Sequence, residues 1–463
     1  MKPRTLGELR ESGYKPRTVK EELRSNLIEK MRRGDDIFPG IVGYEETVIP
    51  QIENAILSGQ DIVFLGERGQ AKTRIARSLT NLLDEEVPMV AGADLNDDPL
   101  NPIGAKAKKI IAEQGDATPI EWLPRSRRYG EKLATPDITI SDLIGEVDPI
   151  KVAEGRYLSD EETIHFGLIP RTNRGIFALN ELPDLAERIQ VGLLNIMEER
   201  DVQIRGYKIR LDLDVFVVAS ANPEDYTNRG RIVTPLKDRF GSEIRTHYPR
   251  TIEHEISIIE QEANHYQNAD ITIIVPRFMK EIVAEITHEA RRSPDVSQRS
   301  GVSARVSISN YENLVSNATR RAIRLGEKAA APRISDLPAI ISSTAGKIEL
   351  ETIGDNKEER VVEKLVQRAI VNTFNRYFSV GDFEQLVRGF DSGLSFESGE
   401  LMPAMEYVNQ AHEVEDFKKA VAKLQAQGSP VTVASAVEFI LEGMHLNRKL
   451  NKDRNDGKSR YRR

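Results

Sequence analysis

The stretch DIVFLGERGQAKTRIARSL, residues 61–79, decides the fold of the region around it. It begins with a short apolar run bounded by Asp61 and Gly66, which is typical of a buried strand in a parallel sheet. A loop with two glycines follows, and a helical pattern begins directly after it. A strand, a glycine loop and a helix in this order are the context that a phosphate-binding loop requires. The loop residues are Gly66, Glu67, Arg68, Gly69, Gln70, Ala71, Lys72 and Thr73.

The chemistry of this loop predicts that it binds a polyphosphate. Backbone N–H groups at the start of a helix point at one place, and the helix dipole adds partial positive charge there. We expect the Lys72 ammonium to reach the β and γ phosphates and the Thr73 hydroxyl to hold Mg²⁺. Ala71 stands where such a loop usually has its second glycine. The alternative is an accidental glycine-rich turn, against which the flanking strand and helix both argue.

Two further apolar runs predict strands of the same sheet, GIFALNE at 175–181 and DVFVVASAN at 214–222. The helical segment LPDLAERIQVGLLNIMEE separates them, and strands that alternate with helices predict an α/β fold with a parallel sheet. About ninety residues lie between the first helix and GIFALNE. This interval is longer than a plain connection needs, so it is either an inserted functional loop or a disordered linker.

Polar residues at the ends of these strands are candidates for hydrolysis chemistry. Glu181 can polarise the water that attacks a γ phosphate, so it is the candidate general base. Asn180 stands where an aspartate usually binds Mg²⁺, so either hydrolysis is slow or the phosphates and Thr73 hold the metal alone. Asn222 can orient the attacking water. The alternatives are a merely exposed carboxylate for Glu181 and a turn-forming asparagine before Pro223.

Arginines further along the chain are candidates for stabilising phosphate charge. Arg239, in PLKDRFGSEI, is the candidate arginine finger that acts on a neighbouring copy. Arg229 and Arg231 lie nearby and compete for this role. Arg305, in GVSARVS, begins a predicted lid helix whose N-terminus would face the nucleotide. The alternative for each of these arginines is a plain surface salt bridge.

Composition excludes several classes of protein. The chain has 463 residues and no cysteine, which removes thiolate catalysis, disulfide frameworks and Cys-type zinc sites. It has neither a long apolar run nor the apolar region of a secretory signal, so we expect a cytoplasmic protein without a membrane contact. The net charge of −8 disfavours a dedicated nucleic-acid binder.

Changes in composition, charge and apolar spacing along the chain predict five segments. Pro39, Gly40 and Gly43 mark the first boundary, and helical spacing dominates after Pro249. From Asn447 onward, eight basic and two acidic residues predict a solvated, mobile end. The segments are a charged helical N-terminal arm over 1–36, an α/β nucleotide-binding core with insertions over 37–250, a helical lid over 251–345, a C-terminal helical region over 346–446 and a basic flexible tail over 447–463.

The motifs GERGQAKT, FALNELPDL, SANPED, LKDRF and SAR, in this order, resemble the AAA+ ATPases of the MoxR and magnesium-chelatase subunit I branch. The resemblance spans roughly residues 37–330. It implies a P-loop NTPase core that binds ATP and Mg²⁺ in a ring, usually of six subunits. EERDVQIRGYKIRLDLDV is similar to the hairpin insertion of this branch. The implied roles are Walker A for Lys72 and Thr73, Walker B for Asn180 and Glu181, sensor 1 for Asn222, arginine finger for Arg239 and sensor 2 for Arg305.

This resemblance favours an ATP-hydrolysing motor that remodels or activates a protein partner, in metal insertion or in protein maturation. Chelatase-type motors are thought to act on a partner that carries a von Willebrand A domain, and here that partner would be another chain. One alternative is an enhancer-binding transcriptional regulator ATPase, although the sequence has no GAFTGA motif. A second is a non-hydrolysing ATP-dependent scaffold, which Asn180 supports. The sequence names neither the substrate nor the partner.

Overall fold

The computed structural model divides the chain into two compact units, Met1–His247 and Tyr248–Arg463. The first contains a parallel sheet, and the second is mainly helical. Within the residues that the structure describes, no helix is both long and apolar enough to span a membrane. These residues are 2–148, 150, 163–198, 201–204, 207–223, 231–264, 270–298, 300–351, 357–412, 414–455 and 458–463.

A five-stranded parallel sheet organises the first unit. The strands of this unit are β1 (Ile62–Leu65), β2 (Glu86–Val90), β3 (Ile120–Pro124), β4 (Tyr129–Leu133), β5 (Gly145–Val147), β6 (Ile164–Phe166), β7 (Gly175–Asn180), β8 (Asp201–Ile204), β9 (Tyr207–Arg210), β10 (Val215–Ala221) and β11 (Ser242–Arg245). The sheet order is β11, β1, β10, β7, β4, with every neighbouring pair parallel. All residues of β1 and β7 are buried, as expected for strands covered on both faces. The predicted α/β fold is confirmed.

The other strands of the first unit form antiparallel pairs, β2 with β3, β5 with β6 and β8 with β9. The pair β8 and β9 lies where the sequence is similar to a family hairpin. The long interval before β7 is folded over the described residues 87–148 and 163–174, so it is a structured insertion rather than a linker there. The helices are α1 (Leu6–Glu11), α2 (Val19–Arg33), α3 (Ile49–Leu57), α4 (Lys72–Ser78), α5 (Ala105–Gln114), α6 (Ile140–Leu143), α7 (Leu168–Arg171), α8 (Glu187–Glu198) and α9 (Thr234–Arg239), with 3₁₀ helices at Leu79–Leu82, Gly115–Ala117, Arg125–Arg127 and Leu182–Asp184.

The segment predicted as an N-terminal arm is helical, but it packs into the first unit. Leu23 and Leu27, one turn apart on α2, are completely buried. Glu22 receives two hydrogen bonds from the Arg128 guanidinium, at 2.7 and 2.5 Å, and both side chains are almost fully buried. A buried pair of this kind is costly to break, because either partner alone would leave a charge away from water. Residues 2–36 are therefore part of the first unit and not a separate arm.

One hydrophobic core organises the second unit and includes residues from Ile256 to Tyr461. Its helices are α10 (Ile252–Glu262), α11 (Arg277–Arg292), α12 (Arg305–Leu325), α13 (Ile341–Ala345), α14 (Lys357–Tyr377), α15 (Glu384–Asp391), α16 (Ala404–Ala411), α17 (Glu415–Lys423) and α18 (Pro430–Leu446), with 3₁₀ helices at Ile334–Ile340 and Val380–Phe383. Phe278 of α11 stacks on Phe439 of α18, with ring centroids 4.8 Å apart. The segments predicted as a lid and as a C-terminal region therefore share a single core.

The segment predicted as a flexible basic tail lies in strands. The strands of the second unit are β12 (Thr272–Ile273), β13 (Ala329–Ala330), β14 (Phe396–Gly399), β15 (Asn451–Asn455) and β16 (Lys458–Arg462), and β16 pairs antiparallel with both β14 and β15. Tyr461 is 2% exposed, and its hydroxyl donates to Glu442 at 2.5 Å. Lys452 donates to the same carboxylate at 2.6 Å. The expectation of a flexible tail is wrong for the described residues 447–455 and 458–463, because a buried aromatic ring and a buried ion pair anchor them.

Candidate nucleotide-binding site

The glycine loop between β1 and α4 has the backbone shape that its sequence predicts. Gly69 has a φ of 76°, in the left-handed region that glycine adopts at no steric cost. Ala71 has a φ of 57° and stands directly before Lys72, the first residue of α4. For a residue with a Cβ this conformation costs about 1–2 kcal/mol. Ala71 therefore keeps the geometry of the glycine it replaces, at a cost in stability.

The start of the loop admits only glycine. A Cβ at Gly66 would lie 1.9 Å from the Thr246 hydroxyl oxygen and 2.3 Å from Oε1 of Gln70. That Oε1 atom accepts hydrogen bonds from the Glu67 N–H at 3.1 Å and from the Thr246 hydroxyl at 2.7 Å. Gln70 thus closes the loop on itself and ties it to the residue that follows β11. Sequence reasoning missed Thr246, since only the strand order reveals that β11 lies beside β1.

Tyr44 supports the loop from the segment before α3. Its hydroxyl lies 2.9 Å from the carbonyl oxygen of Gln70 and 2.7 Å from that of His247. The side chain is 4% exposed, and burial raises the pKa of Tyr44 to about 12. The phenol is therefore neutral at physiological pH and acts as a hydrogen-bonding strut. The sequence indicated a segment boundary at the neighbouring Gly43, but it did not indicate a role for Tyr44.

Lys72 points back over the loop that precedes it. Its ammonium donates to the carbonyl oxygen of Gly66 and, at 2.9 Å, to that of Glu67. The side chain is 7% exposed, and the charge is held by backbone carbonyls. The ammonium therefore lies beside the carboxyl end of β1, where the phosphates are predicted to bind.

Asn180, at the tip of β7, forms hydrogen bonds with three side chains. Its Oδ1 atom accepts the hydroxyl of Thr73 at 3.3 Å and that of Ser220 at 3.4 Å. Its Nδ2 group donates to Oε1 of Glu131 at 2.9 Å. Glu131 belongs to β4 and also receives two hydrogen bonds from Arg77, at 2.7 and 3.0 Å. The structure thus brings Thr73 and Asn180 together, and adds partners that the sequence did not indicate.

The next residue, Glu181, leaves the strand through a left-handed turn with a φ of 57°. Its N–H donates to the Ser220 hydroxyl at 3.3 Å. Asn222 follows directly after β10 and is 1% exposed. Both residues lie at the carboxyl ends of neighbouring strands, the edge at which open α/β sheets bind their ligands. Strained non-glycine backbone concentrates at functional sites, and Ala71 and Glu181 both show it here.

Comparison with known proteins finds a matching family profile and several similar proteins. A family profile described as the Sigma-54 interaction domain matches residues 152–238. The magnesium-chelatase subunit ChlI of Nostoc sp. is 28% identical over 242 residues, covering 50% of this chain and 59% of that protein. The chloroplastic subunit ChlI-1 of Arabidopsis thaliana is 26% identical over 238 residues, covering 50% of this chain and 52% of that protein. The matched region is thus between half and two thirds of the length of these relatives.

The chain is thus similar over about half of its length to subunits of magnesium chelatase. A solved structure of the complex between the magnesium-chelatase subunits BchI and BchD is also similar, with 18% identity and a TM-score of 0.36, covering 70% of this chain and 98% of that one.

The residues of this site fit ATP and Mg²⁺. Only glycine fits at position 66, because a Cβ there would collide with the side chains of Thr246 and Gln70 that hold the loop in shape. The Thr73 hydroxyl and the Asn180 Oδ1 atom are neighbouring oxygens from two different elements. Mg²⁺ prefers oxygen ligands and keeps several waters and phosphates around it, so few protein ligands are needed. Thr73 and Asn180 are the side chains that would hold it.

The arginines predicted to act on phosphate charge have different surroundings. Arg239, at the end of α9, makes an ion pair with Glu198 at the end of α8, with Nε lying 2.8 Å from the carboxylate. Arg231 is 3.8 Å from Glu187 and highly exposed. Arg229 lies outside the described residues. Arg305 is the first residue of α12, in the second unit, so its predicted approach to the nucleotide stays a prediction.

Proposed function

We propose that this AAA+ protein binds ATP with Mg²⁺, hydrolyses it within a ring of copies, and uses the cycle to remodel or activate a protein partner. The observation that carries the proposal is the 3.3 Å contact between Oγ1 of Thr73 and Oδ1 of Asn180. It joins the helix after the glycine loop to the tip of a neighbouring strand. A hard cation bound between phosphates and these oxygens needs this juxtaposition.

Each residue of the site has a role in this proposal. Bound Mg²⁺ would neutralise charge on the phosphates. Lys72 would donate to the β and γ phosphates from its place over the loop. Glu181 would accept the proton of the attacking water, and Asn222 would orient that water through its side chain. Thr73 would hold the metal.

A neighbouring copy would complete the site. Arg239 is only partly exposed and is paired with Glu198 of its own chain. In a ring, Arg239 would exchange this surface partner for the γ phosphate of the next subunit. A measurement of mass in solution tests whether the ring is a hexamer. Surface ion pairs contribute little to stability, so the exchange is feasible. A sensor 2 role for Arg305, the first residue of α12, is a further part of the proposal.

The partner is proposed to be a second protein. The relatives named above are subunits of magnesium chelatase, which supports a role beside other proteins. A protein with a von Willebrand A domain is the specific candidate, and metal insertion and protein maturation are both compatible with it. Co-purification of such a protein in the presence of a slowly hydrolysed ATP analogue tests this part of the proposal.

Nucleotide binding is tested with Lys72→Ala. The affinity for a fluorescent ATP analogue with Mg²⁺ should fall roughly 10- to 150-fold, because a charged hydrogen-bonding group is lost. The matched control is Lys106→Ala, which removes an exposed lysine paired with Asp94 in the same unit and should leave the affinity unchanged. Equal affinity in the wild type and in Lys72→Ala would overturn the proposal.

Hydrolysis is tested with Glu181→Gln. A motor should lose its ATPase rate in this variant while it keeps ATP affinity, because the general base is replaced by an amide. A non-hydrolysing scaffold would instead show a background rate in both the wild type and the variant. That result would leave ATP-dependent assembly as the function.

A transcriptional role is the second candidate, and one finding favours it. The profile that matches residues 152–238 is described as the Sigma-54 interaction domain. This reading predicts that the ATP-bound chain retains RNA polymerase carrying a sigma-54 factor. Failure to retain that polymerase, with the ATP analogue bound, would remove this candidate.

A further inference from the structure

The Asn180 amide has only one orientation that satisfies its neighbours. Its Nδ2 group must donate to the Glu131 carboxylate, which can only accept while it is ionised. Its Oδ1 atom then faces the hydroxyls of Thr73 and Ser220. Without Glu131, an amide could present either its nitrogen or its oxygen to Thr73. Glu131 therefore selects the oxygen.

Glu131 is well held in its place on β4. Arg77 donates to both of its carboxylate oxygens, and the Tyr129 hydroxyl lies 3.1 Å from one of them. Its backbone aligns with Ala178, two residues before the tip of the neighbouring strand β7. The Arg77 bonds hold the pKa of the Glu131 carboxyl below its usual value, so the group is ionised at neutral pH.

We propose that Glu131 takes over the duty of the aspartate that Asn180 replaces: it supplies the negative charge beside the metal site and holds Oδ1 of Asn180 toward Thr73. Glu131 is a positioning residue, since it acts on the metal through Asn180. For the metal, the inference rests on the proposed function. The link between Glu131 and Asn180 stands on the geometry alone.

The same geometry explains why position 180 carries no charge. An aspartate there would place a second carboxylate about where Nδ2 now lies, 2.9 Å from Glu131. Two carboxylates at that distance repel each other and share no hydrogen bond. An amide at 180 and a carboxylate at 131 are therefore complementary, and the reverse arrangement should work equally well.

A thermal unfolding cycle without nucleotide tests this complementarity. Trp122, the sole tryptophan of the sequence, lies in the first unit, so its fluorescence reports on that unit. Asn180→Asp should lower the unfolding midpoint by about 2–4 °C. Adding Glu131→Gln to Asn180→Asp should restore the midpoint, because an amide then faces a carboxylate again. An equal loss in both backgrounds would overturn the coupling.

The metal role is tested by titrating Mg²⁺ into the protein with a fluorescent ATP analogue. Glu131→Gln should weaken the Mg²⁺ dependence of binding about 10-fold or more, as expected when a group that orients a metal ligand is removed. Affinity in EDTA should not change. The double variant should recover the Mg²⁺ dependence. The control Asp94→Asn, at an exposed pair with Lys106, should behave as the wild type does.

The outcomes separate the two claims. Unchanged Mg²⁺ dependence in Glu131→Gln, or an equal loss with and without Mg²⁺, would overturn the positioning role. If the wild type bound no nucleotide, the proposed function would fail and the metal role with it. The unfolding cycle would still decide whether Glu131 and Asn180 act as one unit.

Discussion

In the first unit, the Asn180 oxygen receives the hydroxyls of Thr73 and Ser220 at 3.3 and 3.4 Å, whereas in the second unit Glu442 receives Tyr461 at 2.5 Å and Lys452 at 2.6 Å. Hydroxyl groups usually bond oxygen at about 2.7–2.8 Å. The contacts of the Asn180 Oδ1 atom are thus long and weak, and those of Glu442 are short. Polar groups that are held loosely at a strand tip keep capacity for a further partner, while the tightly held group is used to anchor the chain.

The largest effect on stability is expected at Glu442, the carboxylate with the short hydrogen bonds. Glu442→Ala leaves Lys452 and the Tyr461 hydroxyl without their acceptor in a site with little exposure. The second unit should lose about 3–5 kcal/mol of unfolding free energy, since one partner of a buried pair is removed. Urea unfolding followed by circular dichroism measures this. Glu397→Ala, at an exposed pair with Lys458, is the control and should change stability by less than about 1 kcal/mol.

Acid should affect the second unit through another tightly held carboxylate. Burial raises the pKa of Glu255, but the neighbouring His288 side chain and the hydrogen bonds from Arg291 and Ser307 outweigh it and lower the pKa to about 2. The folded pKa lies below the unfolded one, so the stabilisation is complete above pH 4.5 and is lost as pH falls toward 2. Circular dichroism unfolding should show this loss, and Glu255→Gln should flatten it. A pH profile equally steep in the variant would contradict the assignment.

A smaller effect, on binding rather than stability, is expected at the loosely held site. Thr73→Val keeps the shape of the side chain and removes its hydroxyl. Because its bond to Asn180 is long, the free energy of unfolding, measured by Trp122 fluorescence, should change by less than about 1 kcal/mol. Affinity for the ATP analogue with Mg²⁺ should fall about 10-fold, and Thr73→Ser should restore it. A large loss of stability in Thr73→Val would show that this site is structural, like Glu442.

The smallest effect should come from Ala71→Gly. Glycine removes the strain of the left-handed conformation but adds freedom to the unfolded chain, so the net gain should stay below about 1 kcal/mol. Nucleotide affinity should not fall. Ala76→Gly, in the helical interior of α4, is the matched control and should lose about 1 kcal/mol or more. A loss of stability in Ala71→Gly would show that the loop does not hold the conformation described.

Local pattern was sufficient to predict three of the five strands of the sheet. The apolar runs before Gly66, Asn180 and Asn222 predicted these strands, and parallel strands bring their carboxyl ends to one edge. Thr73 and Asn180 lie in contact there. Their roles in hydrolysis stay predictions.

The supporting residues could not be predicted, because they depend on strand order. Glu131 lies on a strand whose composition, YGEKL, looks like any partly exposed strand, and its contact with Asn180 follows from the pairing of β4 with β7. Thr246 reaches the loop only because β11 lies beside β1. The prediction for the tail was wrong because counting its charges gave no weight to Tyr461, which is buried against α18, the helix directly before the tail.

The ion pair between Arg239 and Glu198 has a consequence for assembly. One guanidinium cannot serve its own chain and an adjoining subunit at once, so closing a ring would release a carboxylate at each junction. A higher salt concentration would weaken both the ion pair between Arg239 and Glu198 within the chain and the contact of Arg239 with the next subunit. The mass of the oligomer would therefore respond little to ionic strength. Glu198→Gln would remove only the pair within the chain and leave Arg239 available to the next subunit, so it should shift the chain toward larger assemblies.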